Sequence, residues 1–163
     1  EFIVRLPLLE RPLPTSSVEN DAPASVVERR RVLVVDDHED TAESLSRLLQ
    51  ALGYEAHTAN DGPAALAAGE SLKFDIALLD IGMLSMSGHD LARRIRTQGW
   101  GKDVLLIAVS GWGQEEDRRR AAEAGFDHHV VKPVDFDALA LLLAGSAACR
   151  RVRAIQSGRA IVP

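Results

Sequence analysis

The apolar run Ile76-Ala77-Leu78-Leu79 stops at a single carboxylate, Asp80. An unbroken apolar stretch of strand length reads as a strand buried on both faces, the pattern of a parallel sheet covered by helices. In open α/β sheets, ligands bind outside the carboxyl ends of the strands. A lone strand-end Asp usually does no more than begin a turn. Two further runs weigh against that reading here. Val32-Leu33-Val34-Val35 ends in Asp36-Asp37, and Val130-Val131 ends in Lys132-Pro133. Three strands then deliver acids and a lysine to one end of a sheet.

Around these runs the chain alternates strand and helix. The first strand is expected from Arg31 to Asp36. Asp40 is expected to cap a helix, with Glu43 as its capping-box partner. Ala42, Leu45, Leu48, Leu49 and Leu52 follow at helical spacing, and Gly53 ends the helix. Tyr54 to Ala59 is more polar and is expected to be an edge strand. Asn60-Asp61-Gly62-Pro63 is turn chemistry leading into an alanine-rich helix that ends near Ser71. Strand three is expected from Phe74 to Leu79. Ser87 then caps a helix carrying Leu91, Ala92 and Ile95 and closed by Gly99. Strand four runs from Val104 to Val109. Gly111 to Gly113 opens a helix whose charged face, Glu115 to Arg120, points outward and which ends at Gly125. Strand five runs from Phe126 to Val131, and Asp135 caps a last helix with Leu139, Leu142 and Leu143. Right-handed crossovers make five such βα units an α/β, doubly wound parallel sheet, with the acid-bearing strands flanking its topological switch point.

The flanks differ. Glu1 to Leu9 reads as one apolar strand with no hairpin partner, and residues 10–30, with Pro12, Pro14 and Pro23, as a linker. The organised domain spans 31–147, and residues 148–163 form an arginine-bearing tail. A net charge of -5 argues against a nucleic-acid partner held by a basic surface. The run Asp117-Arg118-Arg119-Arg120 therefore reads as a solvated helix face. One cysteine, Cys149, excludes an internal disulfide framework and a cysteine-rich zinc site. No apolar run approaches the roughly 20 residues of a membrane span, and the first residues lack a signal-peptide layout. The expectation is a soluble, cytoplasmic segment without direct membrane contact.

Asp36, Asp37 and Asp80 form a cluster of hard oxygen ligands. Three neighbouring carboxylates repel one another unless a cation neutralises them. Mg²⁺ suits the task, because it takes a few carboxylates plus waters and phosphate oxygens, whereas softer metals prefer other ligands. Lys132 is a point charge for an anion, and Ser110, closing strand four, is a hydroxyl donor. Together they suit a phosphoryl group. A carboxylate can itself be the nucleophile, giving an aspartyl phosphate. Asp80 is the candidate, since it stands alone while the adjacent Asp36 and Asp37 hold metal. Neighbours on a strand face opposite ways, so His128 and His129 do not make a metal pair. His38 reads as a loop residue at the mouth of the site, and His57 and His89 as surface residues. Trp112, two residues beyond Ser110, is either a packing residue or part of a partner surface.

At this point residues 31 to about 147 resemble the receiver domains of two-component response regulators. The resemblance rests on Val-Val-Asp36-Asp37, Leu-Leu-Asp80-Ile-Gly-Met-Leu-Ser-Met-Ser-Gly88, Val-Ser110-Gly and Val-Val-Lys132-Pro133, in order and at these separations. It implies a flavodoxin-like strand order 2-1-3-4-5 and a phosphoacceptor with at most self-phosphorylation and self-dephosphorylation. It implies Asp80 as phosphoacceptor, Asp37 and Asp80 as Mg²⁺ ligands and Asp36 as a ligand through water. Gly82 would offer its backbone carbonyl to the metal. Ser110 and Lys132 would hold the phosphoryl oxygens, and Lys132-Pro133 would be cis. The partner implied is a histidine kinase or a histidine phosphotransfer domain. Leu84 stands where the family usually has proline, and Ser87 where it usually has Asp or Asn. His129 occupies the place of the usual aromatic switch residue, with Ser110 as the other half of that switch.

Other enzyme classes fit less well. A dehalogenase-type phosphatase needs a second Asp two residues after its nucleophile, where this chain has His38 and Gly82. A dinucleotide site needs a glycine-rich turn, where this chain has Asp36-Asp37-His38-Glu39. Phe2-Ile3-Val4-Arg5-Leu6-Pro7-Leu8 is similar to the closing strand of histidine-kinase ATP-binding domains. The segment is thus expected to be the C-terminal receiver of a hybrid sensor histidine kinase, whose parent is membrane-anchored. A stand-alone regulator is the alternative.

Overall fold

A computed structural model describes residues 29–111 and 113–145. The strand expected over 1–9, most of the linker, Trp112 and the C-terminal tail lie outside the described residues. The elements are β1 (Arg31–Val35), α1 (Glu39–Ala51), β2 (Glu55–Ala59), α2 (Gly62–Ser71), β3 (Ile76–Asp80), α3 (Gly88–Thr97), β4 (Leu105–Ser110), α4 (Glu115–Ala124) and β5 (His128–Val131). A last helix, α5, covers residues 136–145.

The five strands are all parallel, in the order β2-β1-β3-β4-β5. The three central strands are the three most apolar runs, and β3 and β4 are buried along their whole length. Alternate residues feed two cores, one on each face. Leu33, Val35, Ala77, Leu79, Leu106 and Ala108 pack with Leu91, Ala92 and Ile95 of α3 and Ala121 and Ala124 of α4. Val32, Val34, Ile76, Leu78, Leu105 and Ile107 pack with Ala42, Leu45 and Leu49 of α1 and Leu139 and Leu143 of α5. As expected, the polar strand β2 lies at an edge.

Most helix termini follow the expected chemistry. The Asp61 and Ser87 side chains accept from the backbone N–H of Ala64 and Asp90. Asp135 accepts from the Ala138 N–H. Gly53 and Gly125 adopt φ of 91° and 97°, the left-handed region that glycine reaches without strain. Two expectations are corrected. The capping residue of α1 is His38, not Asp40, and Glu43 pairs with Arg47 instead of closing a capping box. The cause is Asp36, whose side chain accepts from the His38 N–H at 2.9 Å and turns the chain early. Asp40 becomes a first-turn acid, favoured there by the helix dipole. At the other correction, α3 ends at Thr97, ahead of Gly99. There Arg96 donates to the carbonyls of Gly101, Val104 and Gly125 and to Asp127, tying the chain after the helix to α4 and β4. Strand β5 begins at His128, because Phe126 N–H still bonds back to Ala121 at the end of α4.

His89 is not a surface residue. Its ring packs edge-on against Phe126, and Nε2 is buried without a hydrogen-bond partner among the described residues. Burial, helped by the nearby Arg93, holds its pKa below the ordinary imidazole value. A histidine that is harder to protonate folded than unfolded withdraws stability as pH falls below about 6.5, until the folded form also titrates. Thermal unfolding should therefore show a smaller loss of Tm between about pH 7 and 5 in His89→Phe than in wild type. Equal slopes would show that burial of this ring carries no proton linkage.

Candidate functional site

Register places the acids. Val35 pairs with Leu79, so Asp36 emerges beside Asp80, and Asp80 pairs with Val109 one residue before Ser110. Ser110 pairs in turn with Val131, and Lys132 follows immediately. The Lys132 N–H donates to the Ser110 carbonyl at 2.7 Å, closing β4 against β5 where the functional side chains begin. The Lys132-Pro133 bond is cis, as expected.

Asp36, Asp80 and Ser110 are buried polar residues, at 4%, 7% and 5% exposure. Buried carboxylates require a partner. The Lys132 ammonium supplies it, lying 2.8 Å from Asp36 Oδ2 and 3.2 Å from Asp80 Oδ1. Burial on its own would lower the Lys132 pKa, but its bonds to the two carboxylates leave it raised above the ordinary value. Asp37 sits farther out. Its Oδ2 accepts from the Leu84 N–H at 3.1 Å, tying the first acid loop to the loop after β3. Its Oδ1 lies 3.0 Å from Nδ1 of His38, an exposed ring at the mouth of the site, as expected. One ligand atom each from Asp36, Asp37 and His38 lie within 4.8 Å of one another. Gly82 stands next to the phosphoacceptor candidate, since a Cβ there would be 3.7 Å from Asp80 Oδ2.

Beside these groups a cavity of about 420 Å³ opens between α1 and α5. Asp36, Asp80 and Lys132 line its polar end, and Leu45, Val134 and Phe136 its apolar one. Phe136 is an exposed aromatic that the sequence reading passed over; its place directly after the capping Asp135 was the available signal. Ser110 is joined to His129, with Oγ 2.8 Å from Nε2. His128 is exposed and takes no part.

The arrangement has the parts for anion chemistry on a carboxylate: a buried acid, a second acid pair beside it, an ammonium between two of the carboxylates and a hydroxyl one strand away. The chain is similar to known proteins. Residues 32–144 match the response regulator receiver domain family. The chain is 37% identical over 136 residues to the sensor histidine kinase RcsC of Salmonella typhi, covering 83% of this chain and 14% of that protein. It is 32% identical over 168 residues to the virulence sensor protein BvgS of Bordetella bronchiseptica, covering 98% of this chain and 14% of that protein. This chain thus spans about one-seventh of the length of these curated relatives. Among solved structures, the chemotaxis protein CheY4 of Vibrio cholerae has a TM-score of 0.68 at 29% identity over 71% of this chain and 97% of its own. The response regulator TrrA of Thermotoga maritima, solved in complex with Mg(2+)-BeF, has a TM-score of 0.63 at 34% identity over 71% of this chain and 97% of its own. The family match over residues 32–144 and the shared fold agree, and the chain belongs to the response regulator receiver domain family.

Proposed function

We propose that this receiver takes a phosphoryl group from a phosphohistidine onto Asp80, with Mg²⁺, as the C-terminal segment of a hybrid sensor histidine kinase. The observation that carries the reading is the Lys132 ammonium set between the buried Asp36 and Asp80 carboxylates. An Asp80 oxygen attacks phosphorus, the N–P bond breaks, and the histidine nitrogen leaves with the bonding pair. Lys132 and the Ser110 hydroxyl hold the transferred oxygens. Asp37, Asp80, the Gly82 carbonyl and, through water, Asp36 are the groups that would hold Mg²⁺. This all-oxygen donor set fits the ion, which when bound neutralises charge on the phosphoryl oxygens. Ser110 and His129 serve as the switch pair. The partner is a histidine kinase or histidine phosphotransfer domain, and the segment is cytoplasmic while the parent chain is membrane-anchored. Among the described residues no helix is long and apolar enough to cross a membrane.

The hybrid-kinase part is supported by the BvgS alignment, which reaches well beyond residues 32–144 into both flanks. On this reading residues 1–9 close an upstream ATP-binding domain, and 10–30 tether the receiver 31–147 near its donor, raising effective concentration. A stand-alone receiver is the alternative, and the upstream coding sequence decides between them.

The test of the chemistry is incubation with acetyl phosphate followed by intact-mass measurement. One phosphoryl adduct is expected with Mg²⁺ and none after chelation. Lys132→Ala should slow adduct formation about 100-fold, the low end of the cost of losing one transition-state donor. An adduct that forms equally well in chelator would end the Mg²⁺ reading.

A further inference from the structure

His38 brings a nitrogen ligand to the mouth of the acid site. Asp36 Oδ1 accepts from the His38 N–H at 2.9 Å, a two-residue turn that folds the chain back ahead of α1. The turn sets the imidazole beside both acids, with Nδ1 3.0 Å from Asp37 Oδ1 and 3.5 Å from Asp36 Oδ1. One ligand atom from each of the three residues lies within 4.8 Å of the others. We propose that His38 is a metal ligand, so that the acid site holds a divalent transition ion through Asp36, Asp37 and His38 more tightly than it holds Mg²⁺. The inference rests on the proposed role of Asp37 as a metal-holding group.

Other bonds fix which oxygens face the ring. Asp37 Oδ2 accepts from the Leu84 N–H, which leaves Oδ1 turned toward the imidazole. Asp36 Oδ2 is taken by Lys132. Asp36 Oδ1 has one N–H donor, and a carboxylate oxygen has two lone pairs, so one remains for an ion. Two ligands about 2.1 Å from an ion and at right angles to one another lie roughly 3 Å apart. The donor atoms of these three residues stand near that spacing already. The His38 side chain is 76% exposed, so its ring proton exchanges with solvent. With that proton on Nε2, Nδ1 presents a lone pair. Glu39 and Asp40 in the first turn of α1 add negative charge there, which offsets the opposition of the helix dipole to a cation.

Ligand type then sets the preference. Mg²⁺ takes oxygen ligands and keeps several waters, so an imidazole adds little to its binding. Ni²⁺, Cu²⁺ and Zn²⁺ accept imidazole readily. The set proposed above for Mg²⁺ uses Asp37, Asp80, the Gly82 carbonyl and, through water, Asp36. A transition ion exchanges Asp80 and Gly82 for His38. Both sets need Asp37, so the two ions compete. His38 has a plainer role to be set against this one: an Nδ1–H that donates to Asp37 steadies the carboxylate for whichever ion arrives. Loss of such a hydrogen bond changes every ion alike, whereas loss of a nitrogen ligand changes one class.

The experiment titrates the full chain with Ni²⁺ and with Mg²⁺ by calorimetry, in wild type, His38→Ala and Asp37→Asn. His38→Ala should weaken Ni²⁺ binding at least about tenfold, the low end of what disturbing a metal's ligand shell costs, and leave Mg²⁺ binding within about twofold. Mg²⁺ should displace Ni²⁺ competitively from wild type. In wild type, substoichiometric Ni²⁺ should broaden the NMR resonances of the His38 ring ahead of those of His57 and His128. Equal losses for the two ions in His38→Ala would reduce His38 to a hydrogen-bond partner and overturn the inference, as would broadening that spares the His38 ring. Either result leaves Asp37 as a metal-holding group, provided that Asp37→Asn abolishes Mg²⁺ binding. Mg²⁺ binding that survives Asp37→Asn would overturn that role and the inference with it. The broadening is read in wild type, so the test holds even if a variant folds poorly.

Discussion

Asp80→Asn is expected to leave a folded chain that takes no phosphoryl group. The substitution keeps the shape of the side chain and removes its charge and its nucleophilic oxygen. Asp80 is the one buried carboxylate on the central strand, and neighbouring acids do not replace it. Asp36 accepts from the His38 N–H and from Lys132, and Asp37 lies in the loop beyond, bonded to Leu84. Neither presents a carboxylate at the end of β3. The structural cost should be small, because Lys132 keeps its 2.8 Å bond to Asp36 when its 3.2 Å contact to Asp80 loses charge. A stability change of about 1 kcal/mol is ordinary for a single substitution. Adduct formation from acetyl phosphate should fall to background in an intact-mass measurement, with Tm near that of wild type. A mutant that labels to the wild-type extent would remove Asp80 as acceptor.

What was legible in the sequence follows from how local each signal is. The strands β1, β3 and β4 are unbroken apolar runs, and each ends in a polar residue that cannot stay in a core without a partner. The strand order came from the resemblance to receiver domains, and with β1 beside β3 in that order Asp36 approaches Asp80. The start of α1 was misread because Asp36 reaches forward to the backbone of His38, a competition that a search for capping residues does not weigh. His89 was misread because its burial depends on Phe126, distant in sequence and brought over it by the packing of α3. The bond between Ser110 and His129 spans two strands, and only the register between β4 and β5 brings it about. The sequence showed an unusual histidine there; the structure shows what it touches. The Asp37 carboxylate accepts from the backbone N–H of Leu84, so the Leu84 side chain carries no signature of the contact.

Gly88→Ala should damage both fold and site, and for one reason. Gly88 begins α3 directly behind Asp80, its N–H donating to the Ile81 carbonyl at 3.2 Å. A Cβ at Gly88 would fall on the carbonyl oxygen of Asp80, 2.9 Å from the Cα of Ile81 and 3.0 Å from the Asp80 carbonyl carbon. All three are backbone atoms, so no side chain can swing away to make room. Either α3 lifts at its first turn or the end of β3 yields. Lifting α3 loosens Leu91, Ala92 and Ile95, each fully buried against the sheet. Forcing a methyl into such a place costs about 1–3 kcal/mol, which exceeds what alanine gains in propensity at the edge of a helix. Yielding at β3 moves Asp80 away from Lys132, and a displacement near 1 Å can cost roughly 100-fold in rate. The expected result is a lower midpoint in chemical denaturation together with slower adduct formation from acetyl phosphate. Gly99→Ala is the control, since a Cβ there meets nothing within 4 Å and its φ is not positive. That variant should stay within about 0.5 kcal/mol of wild type. If Gly88→Ala proves as stable and as quickly labelled as Gly99→Ala, the start of α3 is not seated against the end of β3, and the close backbone approach at Gly88 does not hold Asp80 in place.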